Sequence, residues 1–258
     1  MIKVNNISFG YKRKKILSGV SLTVEGGELC SVIGVNGSGK TTLLRILARA
    51  LAPIDGSVEV CGKGASEYTQ KDYAKLISYL PQQRYVPSAT VYDYVSAGRY
   101  PYLGFSGRLT AKDEKAIENA VGLTGIGELL DKRLTELSGG ELQRVYFAQL
   151  LTQGTPFILL DEPATHLDVS NLADTEELIL SLRQSGRGIV SVSHDLSSAL
   201  RLSDKLLVLD GGSAAFYGTP SEALSSGVIE RVFGVRVFEQ TIDGEIEYFF
   251  KKDHGNGR

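Results

Sequence analysis

Residues 34–41 read Gly34-Val35-Asn36-Gly37-Ser38-Gly39-Lys40-Thr41, a G-x-x-x-x-G-K-T spacing with one clear chemical use. A nucleoside triphosphate needs many hydrogen-bond donors at close range and a charge to neutralise it. Gly34, Gly37 and Gly39 let the backbone approach phosphate oxygens, and the N–H groups of the loop and of the helix that follows point at them. The candidate phosphate ligands are Gly34, Asn36, Gly37, Ser38, Gly39, Lys40, Thr41 and Thr42. Lys40 supplies a point charge for the β and γ phosphates, and the Thr41 hydroxyl is a Mg²⁺ ligand. The flanks support this use. Leu29–Ile33 is a continuous apolar run that suits a buried parallel strand, and Leu43, Leu44, Leu47 and Leu51 recur at helical spacing over Thr41–Leu51. A Gly-rich turn with a surface lysine would need neither flank.

Three further groups stand out. Asp161 and Glu162 follow the apolar run Phe157–Leu160, where an acidic pair has no packing reason to sit. His194 follows the apolar run Ile189–Val192, a position where a lone histidine is usually structural. Leu137-Ser138-Gly139-Gly140-Glu141-Leu142-Gln143 opens a helix, with Ser138 a good N-cap and a second anion-binding helix end behind it. Gln82, in Tyr79-Leu80-Pro81-Gln82, and Tyr11, in Phe9-Gly10-Tyr11, say little alone.

In this order, each present once, these motifs resemble the ATP-binding-cassette (ABC) family over nearly the whole chain. The resemblance implies ATP and Mg²⁺ as cofactors and assigns roles. Asp161 orients Mg²⁺, partly through water, and Thr41 and Gln82 join it around the metal. Glu162 polarises the attacking water, and His194 contacts the γ-phosphate and keeps water and glutamate in line. Gln82 links the core to a helical subdomain, and Tyr11 stacks on adenine. In the family, the signature of one subunit completes the ATP site of its partner. Ser138, Gly139, Gly140 and Glu141 are thus cofactor-binding in trans, Asp168 in Thr165-His166-Leu167-Asp168 fits the loop crossing that interface, and a head-to-tail homodimer follows. Two departures are Val35, where the family usually has proline, and Ala148-Gln149-Leu150-Leu151, where it commonly has Ala-Arg-Ala-Leu. Neither changes a motif residue.

The elements that must position these groups are legible in outline. Ile2–Val4 and Gly19–Val24 read as short strands, and Phe157–Leu160, Ile189–Val192 and Leu206–Leu209 as buried ones, with helical periodicity over Leu172–Leu182 and Leu196–Leu202. That alternation predicts a doubly wound α/β core. From about Thr90 to Gln153 helices broken at Gly98, Pro101, Gly104 and Gly107 replace it. The expectation is a single ABC ATPase domain over 1–258. Residues 1–87 and 154–258 form a P-loop NTPase core, a mixed, mainly parallel sheet with flanking helices and an N-terminal antiparallel β-subdomain. Residues 88–153 form an inserted α-helical subdomain carrying the signature. Val235–Phe250 alternates like a hairpin around Asp243-Gly244.

With 42% hydrophobic and 22% charged residues the chain can bury a full core, and a net charge of −2 argues against nucleic acid as a partner. No apolar run approaches the roughly 20 residues that span a bilayer, and Met1-Ile2-Lys3-Val4-Asn5-Asn6 is not a secretory leader. The expected location is therefore cytoplasmic, peripheral on the inner face of the cell membrane. Cys30 and Cys61 read as small buried apolar residues, and no Cys/His spacing suits zinc. The run Lys12-Arg13-Lys14-Lys15 reads as a solvated turn, with contact to phosphate or lipid headgroups as its alternative.

Three functions compete for such an ATPase: the motor of a membrane importer, a soluble cassette such as that of iron–sulfur cluster assembly, and a nucleic-acid-associated cassette. The last normally carries two cassettes or a long coiled coil. Val91-Tyr92-Asp93-Tyr94-Val95 and Gly98-Arg99-Tyr100-Pro101-Tyr102 crowd tyrosines just after Gln82, which suits a docking surface. The second segment is similar to importer ATPases for iron–siderophore, haem and cobalamin uptake. The expected partners are thus integral-membrane permease subunits and, indirectly, an extracytoplasmic substrate-binding protein. An importer of another substrate, such as an oxyanion, is the further alternative.

Overall fold

The computed structural model describes residues 1–11, 14–104, 107–165 and 168–252. Lys12 and Arg13 of the basic run, and His166 and Leu167 beside Asp168, lie outside the described residues.

The chain begins as an antiparallel sheet of order β2-β1-β4-β5, built from β1 (Ile2–Tyr11), β2 (Lys14–Val24), β4 (Asp55–Val60) and β5 (Lys63–Gly64). The short strands expected at Ile2–Val4 and Gly19–Val24 are parts of longer ones. Register shifts after Val4, Ile7 and Phe9 break the period-two pattern by which they would be read.

The larger sheet comprises β3 (Leu29–Gly34), β6 (Ile77–Leu80), β7 (Phe157–Asp161), β8 (Gly188–Val192), β9 (Lys205–Asp210) and β10 (Ser213–Gly218) in the order β10-β9-β3-β8-β7-β6. All neighbours pair in parallel except β10, which runs antiparallel to β9. Every residue of β3, β7 and β8 is buried, which is why these strands are unbroken apolar runs. Parallel pairing sends the carboxyl ends of β3, β8, β7 and β6 out at one edge, side by side. Ligand sites of open α/β sheets form there.

Helices α1 (Lys40–Leu47), α2 (Gln70–Tyr73), α6 (Val169–Gln184), α7 (Leu196–Leu202), α8 (Pro220–Ser225) and α9 (Val228–Phe233) connect and flank these strands. The periodicity predicted α1 to run to Leu51. It stops at Leu47 because Arg49 adopts a left-handed φ of 58°. Cys30 is fully buried and burial pushes its thiol up to about 12, whereas Cys61 is exposed. The expected burial of Cys61 fails because β4 ends at Val60 and the chain reverses, with Cys61 at φ 52°.

Between β6 and β7 lie α3 (Val91–Ser96), a 3₁₀ turn over Ala97–Tyr102, α4 (Ala111–Thr124) and α5 (Gly139–Gln153). Two sides of α5 serve two cores. Val145 and Ala148 pack with Val91, Val95, Ile117 and Leu134, while Phe147, Leu150 and Leu151 pack against Ile158 and Leu160 of the sheet.

Arg99 fastens this insertion. Its Nε donates to Asp113 Oδ1 (2.8 Å), its Nη1 donates to the Thr152 carbonyl (2.9 Å), and its guanidinium lies over the Tyr102 ring at 3.7 Å. The Thr110 hydroxyl and N–H, followed by Arg99, hold the Asp113 carboxyl down at about 2. A depressed carboxyl stabilises the fold above its unfolded value of about 4, and that contribution is lost as pH falls toward 2. Removing one partner of a buried pair strands the other charge. Asp113→Ala is therefore expected to cost about 3 kcal/mol at pH 7 and to lose less against wild type near pH 2, measured by urea unfolding at both values.

The tail forms β11 (Val235–Ile242) and β12 (Glu245–Lys252), turning at Asp243 and Gly244, both with positive φ as the expected turn requires. Val237, Tyr248 and Phe250 pack toward α7, α8 and α9.

Candidate active site

The loop after β3 leads into α1 without a side-chain cap, and the first turn of α1 holds no acidic residue. Its terminal N–H groups therefore keep their partial positive charge for an anion. Glycine is required at two positions. A Cβ on Gly34 would meet the Leu209 carbonyl at 2.3 Å, and Gly39, at φ 100°, would press its Cβ on Leu17 at 2.6 Å. Lys40 is nearly buried, with Nζ donating to the carbonyls of Gly34 (2.7 Å) and Val35 (3.2 Å). Burial lowers its pKa, and the Glu162 and Asp161 carboxylates oppose that shift. The Ser38 hydroxyl is buried with no hydrogen-bond partner among the described residues. Backbone donors, an enclosed cation and an unsatisfied hydroxyl fit a triphosphate.

The strand ends deliver the rest. Asp161, fully buried at the end of β7, accepts from the Thr41 hydroxyl (3.1 Å) and the Tyr79 hydroxyl (3.1 Å). Burial pushes its carboxyl up, and those two hydroxyls pull it back. One carboxylate beside one hydroxyl is the sparse donor set that Mg²⁺ takes when phosphates and water complete its shell. Thr41 and Asp161 therefore fit the metal, which would hold Asp161 ionised and neutralise charge on the phosphates.

Glu162 is 8% exposed and sits at a left-handed φ of 54°, its N–H donating to the Val192 carbonyl (3.2 Å). Such backbone persists only where surrounding contacts over-determine it. Its Oε2 accepts from Gln82 Nε2 (2.6 Å) and the Thr165 hydroxyl (3.1 Å), and its Oε1 meets His194 Nε2. The carboxylate is thus aimed by groups from the ends of β6, β7 and β8.

Asn36, Gly37, Gly39, Lys40, Thr41, Thr42, Gln82, Glu162 and His194 line one cleft of about 510 Å³, together with Lys14 and Ile16. Lys14 of the basic run is exposed and lines this cleft beside the phosphate loop. Other expected residues stay apart from it. Tyr11 is 53% exposed, edge-on to Phe9 at 5.0 Å. Ser138 and Gly139 are exposed at the start of α5, and Asp168 caps α6. Glu141 closes a capping box, accepting from the Ser138 N–H (2.8 Å) and hydroxyl (2.8 Å). Sequence reasoning gave no site role to Tyr79 or Thr165. Tyr79 reaches Asp161 from the neighbouring strand, which motif order does not show, whereas Thr165 bonds Glu162 three residues before it, a spacing the sequence does offer.

A parallel sheet with a phosphate loop, a buried Asp–Glu pair and a histidine at its carboxyl edge defines a P-loop nucleoside triphosphatase of the α/β class. The chain matches the ABC transporter family over residues 17–165 and belongs to that family, as an ATPase whose hydrolysis of ATP drives transport. It is 36% identical over 237 residues to the ferric enterobactin transport ATP-binding protein FepC of Escherichia coli, covering 91% of this chain and 88% of that one. It is 36% identical over 239 residues to the petrobactin import ATP-binding protein FpuC of Bacillus anthracis, covering 92% and 88%. Its fold superposes on a dimeric bacterial ABC transporter cassette with a TM-score of 0.74 at 25% identity, covering 85% of this chain and 99% of the other. No helix among the described residues is long and apolar enough to cross a membrane.

Proposed function

We propose that this chain is the ATP-hydrolysing subunit of an importer that takes up a metal chelate of the iron–siderophore, haem or cobalamin class through a separate membrane permease. The observation that carries the reading is the nine-tenths coverage at 36% identity by relatives named for ferric enterobactin transport and petrobactin import, over a chain that gathers Lys40, Gln82, Glu162 and His194 in one cleft. Glu162 polarises the attacking water, His194 and Gln82 hold it in line, and Asp161, Thr41 and Gln82 surround Mg²⁺. Tyr11 receives adenine. Ser138, Gly139, Gly140, Glu141 and Asp168 serve the partner subunit's nucleotide in a head-to-tail homodimer. That they stand outside the cleft of their own chain supports this reading. The chain works at the inner face of the membrane, fed by an extracytoplasmic binding protein. Its lever is residues 88–153, which have an apolar cluster of their own around Val91 and Ile117, inserted in the core of 1–87 and 154–258.

Of the tyrosines expected to dock, three have partners within the insertion. Tyr94 packs edge-on to Tyr146, Tyr92 hydrogen-bonds Glu114, and Tyr102 covers Arg99. Those rings hold the insertion together, leaving Tyr100 (68% exposed) and, in the loop after Gln82, Tyr85 (85% exposed). We expect Tyr85→Ala with Tyr100→Ala to leave the ATPase rate of the isolated chain within about threefold while lowering vesicle uptake of a radio-iron siderophore about tenfold. Normal uptake would place docking elsewhere. Loss of uptake for a phosphate or molybdate oxyanion instead of the chelate would overturn the cargo.

A further inference from the structure

Two routes join the segment after β6 to the Glu162 region, and only the direct Gln82–Glu162 bond belongs to the reading above. The other runs through Arg84. Its Nε donates to the Pro81 carbonyl (2.8 Å) and its Nη1 to Gln143 Oε1 (2.6 Å). Gln143, buried on α5, donates from Nε2 to the carbonyl of Pro163 (2.5 Å), the residue after Glu162. The Arg84 guanidinium lies 4.6 Å over the Tyr146 ring, which packs edge-on to Tyr94 of α3 at 5.7 Å.

This is an unusual place for a cation. Arg84 is partly buried, and its hydrogen bonds go to neutral oxygens, with no ion pair to a carboxylate among the described residues. Desolvating an unpaired charge costs more than burying an apolar side chain of the same volume. A methionine would fill the space against Tyr146 more cheaply. What methionine cannot do is hold the Pro81 carbonyl and Gln143 at once with a rigid planar fork. Pro81 belongs to the core, while Gln143 and Tyr146 belong to the helix that Ser138 caps. Turning α5 against β6 must therefore break the Arg84–Gln143 bond or drag the Pro163 carbonyl with it.

We propose that Arg84 is a positioning residue for ATP hydrolysis, clamping the helix behind Ser138 to the Pro163 carbonyl so that the orientation of α5 sets the placement of Glu162. The inference rests on Glu162 being the water-activating group, and it concerns turnover without permease or cargo.

The test uses the full-length purified chain. Turnover, KM for MgATP, affinity for a non-hydrolysable ATP analogue and melting temperature are measured together. Arg84→Met should lower kcat about tenfold with analogue affinity within about twofold, because the phosphate loop is untouched. Arg84→Lys should do the same, since its single nitrogen cannot stand in for both the Nε and the Nη1 of the planar fork, and it carries the test if the methionine variant does not fold. Gln143→Leu should match Arg84→Met in kcat, and the double variant should fall no further than either single one. A merely structural role would lower melting temperature and nucleotide affinity with kcat and would add between the two sites. Wild-type kcat in Arg84→Met and Arg84→Lys, or multiplicative losses in the double variant, would overturn the inference. Glu162→Gln is the control. If it keeps full turnover, the route through Glu162 falls with the assignment of that glutamate. If it is inactive while both Arg84 variants are normal, the Arg84 inference alone fails.

Discussion

Glu162→Gln should bind MgATP like the wild type and turn it over at least about 100-fold more slowly. The substitution keeps the shape of a side chain that is 8% exposed, so the contacts that fix the left-handed backbone at this position survive. What changes is the chemistry of two oxygens. Wild-type Oε1 meets His194, and Oε2 accepts from Gln82 and Thr165. A carboxylate held by donors on one oxygen is a fixed base, whereas an amide cannot take a proton. If hydrolysis reopens the proposed dimer, the variant should accumulate as a closed dimer when ATP is added, visible by gel filtration. The rate would be followed by phosphate release. Near-normal release would shift water activation to another group, with His194 the first to test.

The second large effect separates the two halves of each site. Lys40→Ala should weaken ATP binding to the isolated chain roughly 10- to 100-fold, the loss of a charge-assisted contact to phosphate. Ser138→Arg should leave monomer binding nearly unchanged and abolish hydrolysis. Lys40 lines the phosphate cleft, whereas Ser138 is exposed at the start of a helix outside it. Mixing the two inactive chains creates dimers with one wild-type site and one doubly defective site. Half the dimers are mixed and each has one working site of two, so recovery of up to about a quarter of the rate is expected. Equilibrium binding at concentrations below dimerisation decides the question. If Ser138→Arg loses affinity there, the signature acts on its own chain's nucleotide and the head-to-tail arrangement is wrong.

Much of this was legible because the chemistry is local in sequence. The phosphate loop needs glycines, a lysine and a hydroxyl residue at set intervals, so Gly34 to Thr41 announces itself. Asp161 and Glu162 are conspicuous because they end an apolar strand that has no use for charge. The apolar runs of β3, β7 and β8 are readable since both faces are covered. Strands with one exposed face and bulges, as in β1, were read short. β6, four residues long with a polar Ser78 in it, was not read at all.

Residue type and spacing by themselves determined the class of protein, the triphosphate it binds and the groups available for hydrolysis, because those demands are met within a few consecutive residues. Only the tertiary structure decided which groups meet. Tyr79 on Asp161, Gln82 and His194 on Glu162, and Arg84 and Gln143 behind Pro163 are side-chain contacts between elements brought together by the parallel order β3-β8-β7-β6 and by α5. The fate of the tyrosines was also a tertiary matter. Tyr92, Tyr94, Tyr100 and Tyr102 look alike in the chain, but contacts with Glu114, Tyr146 and Arg99 leave three of them partly buried and Tyr100 exposed. Burial is a property of the assembled surface, and a ring's own sequence neighbours do not specify it.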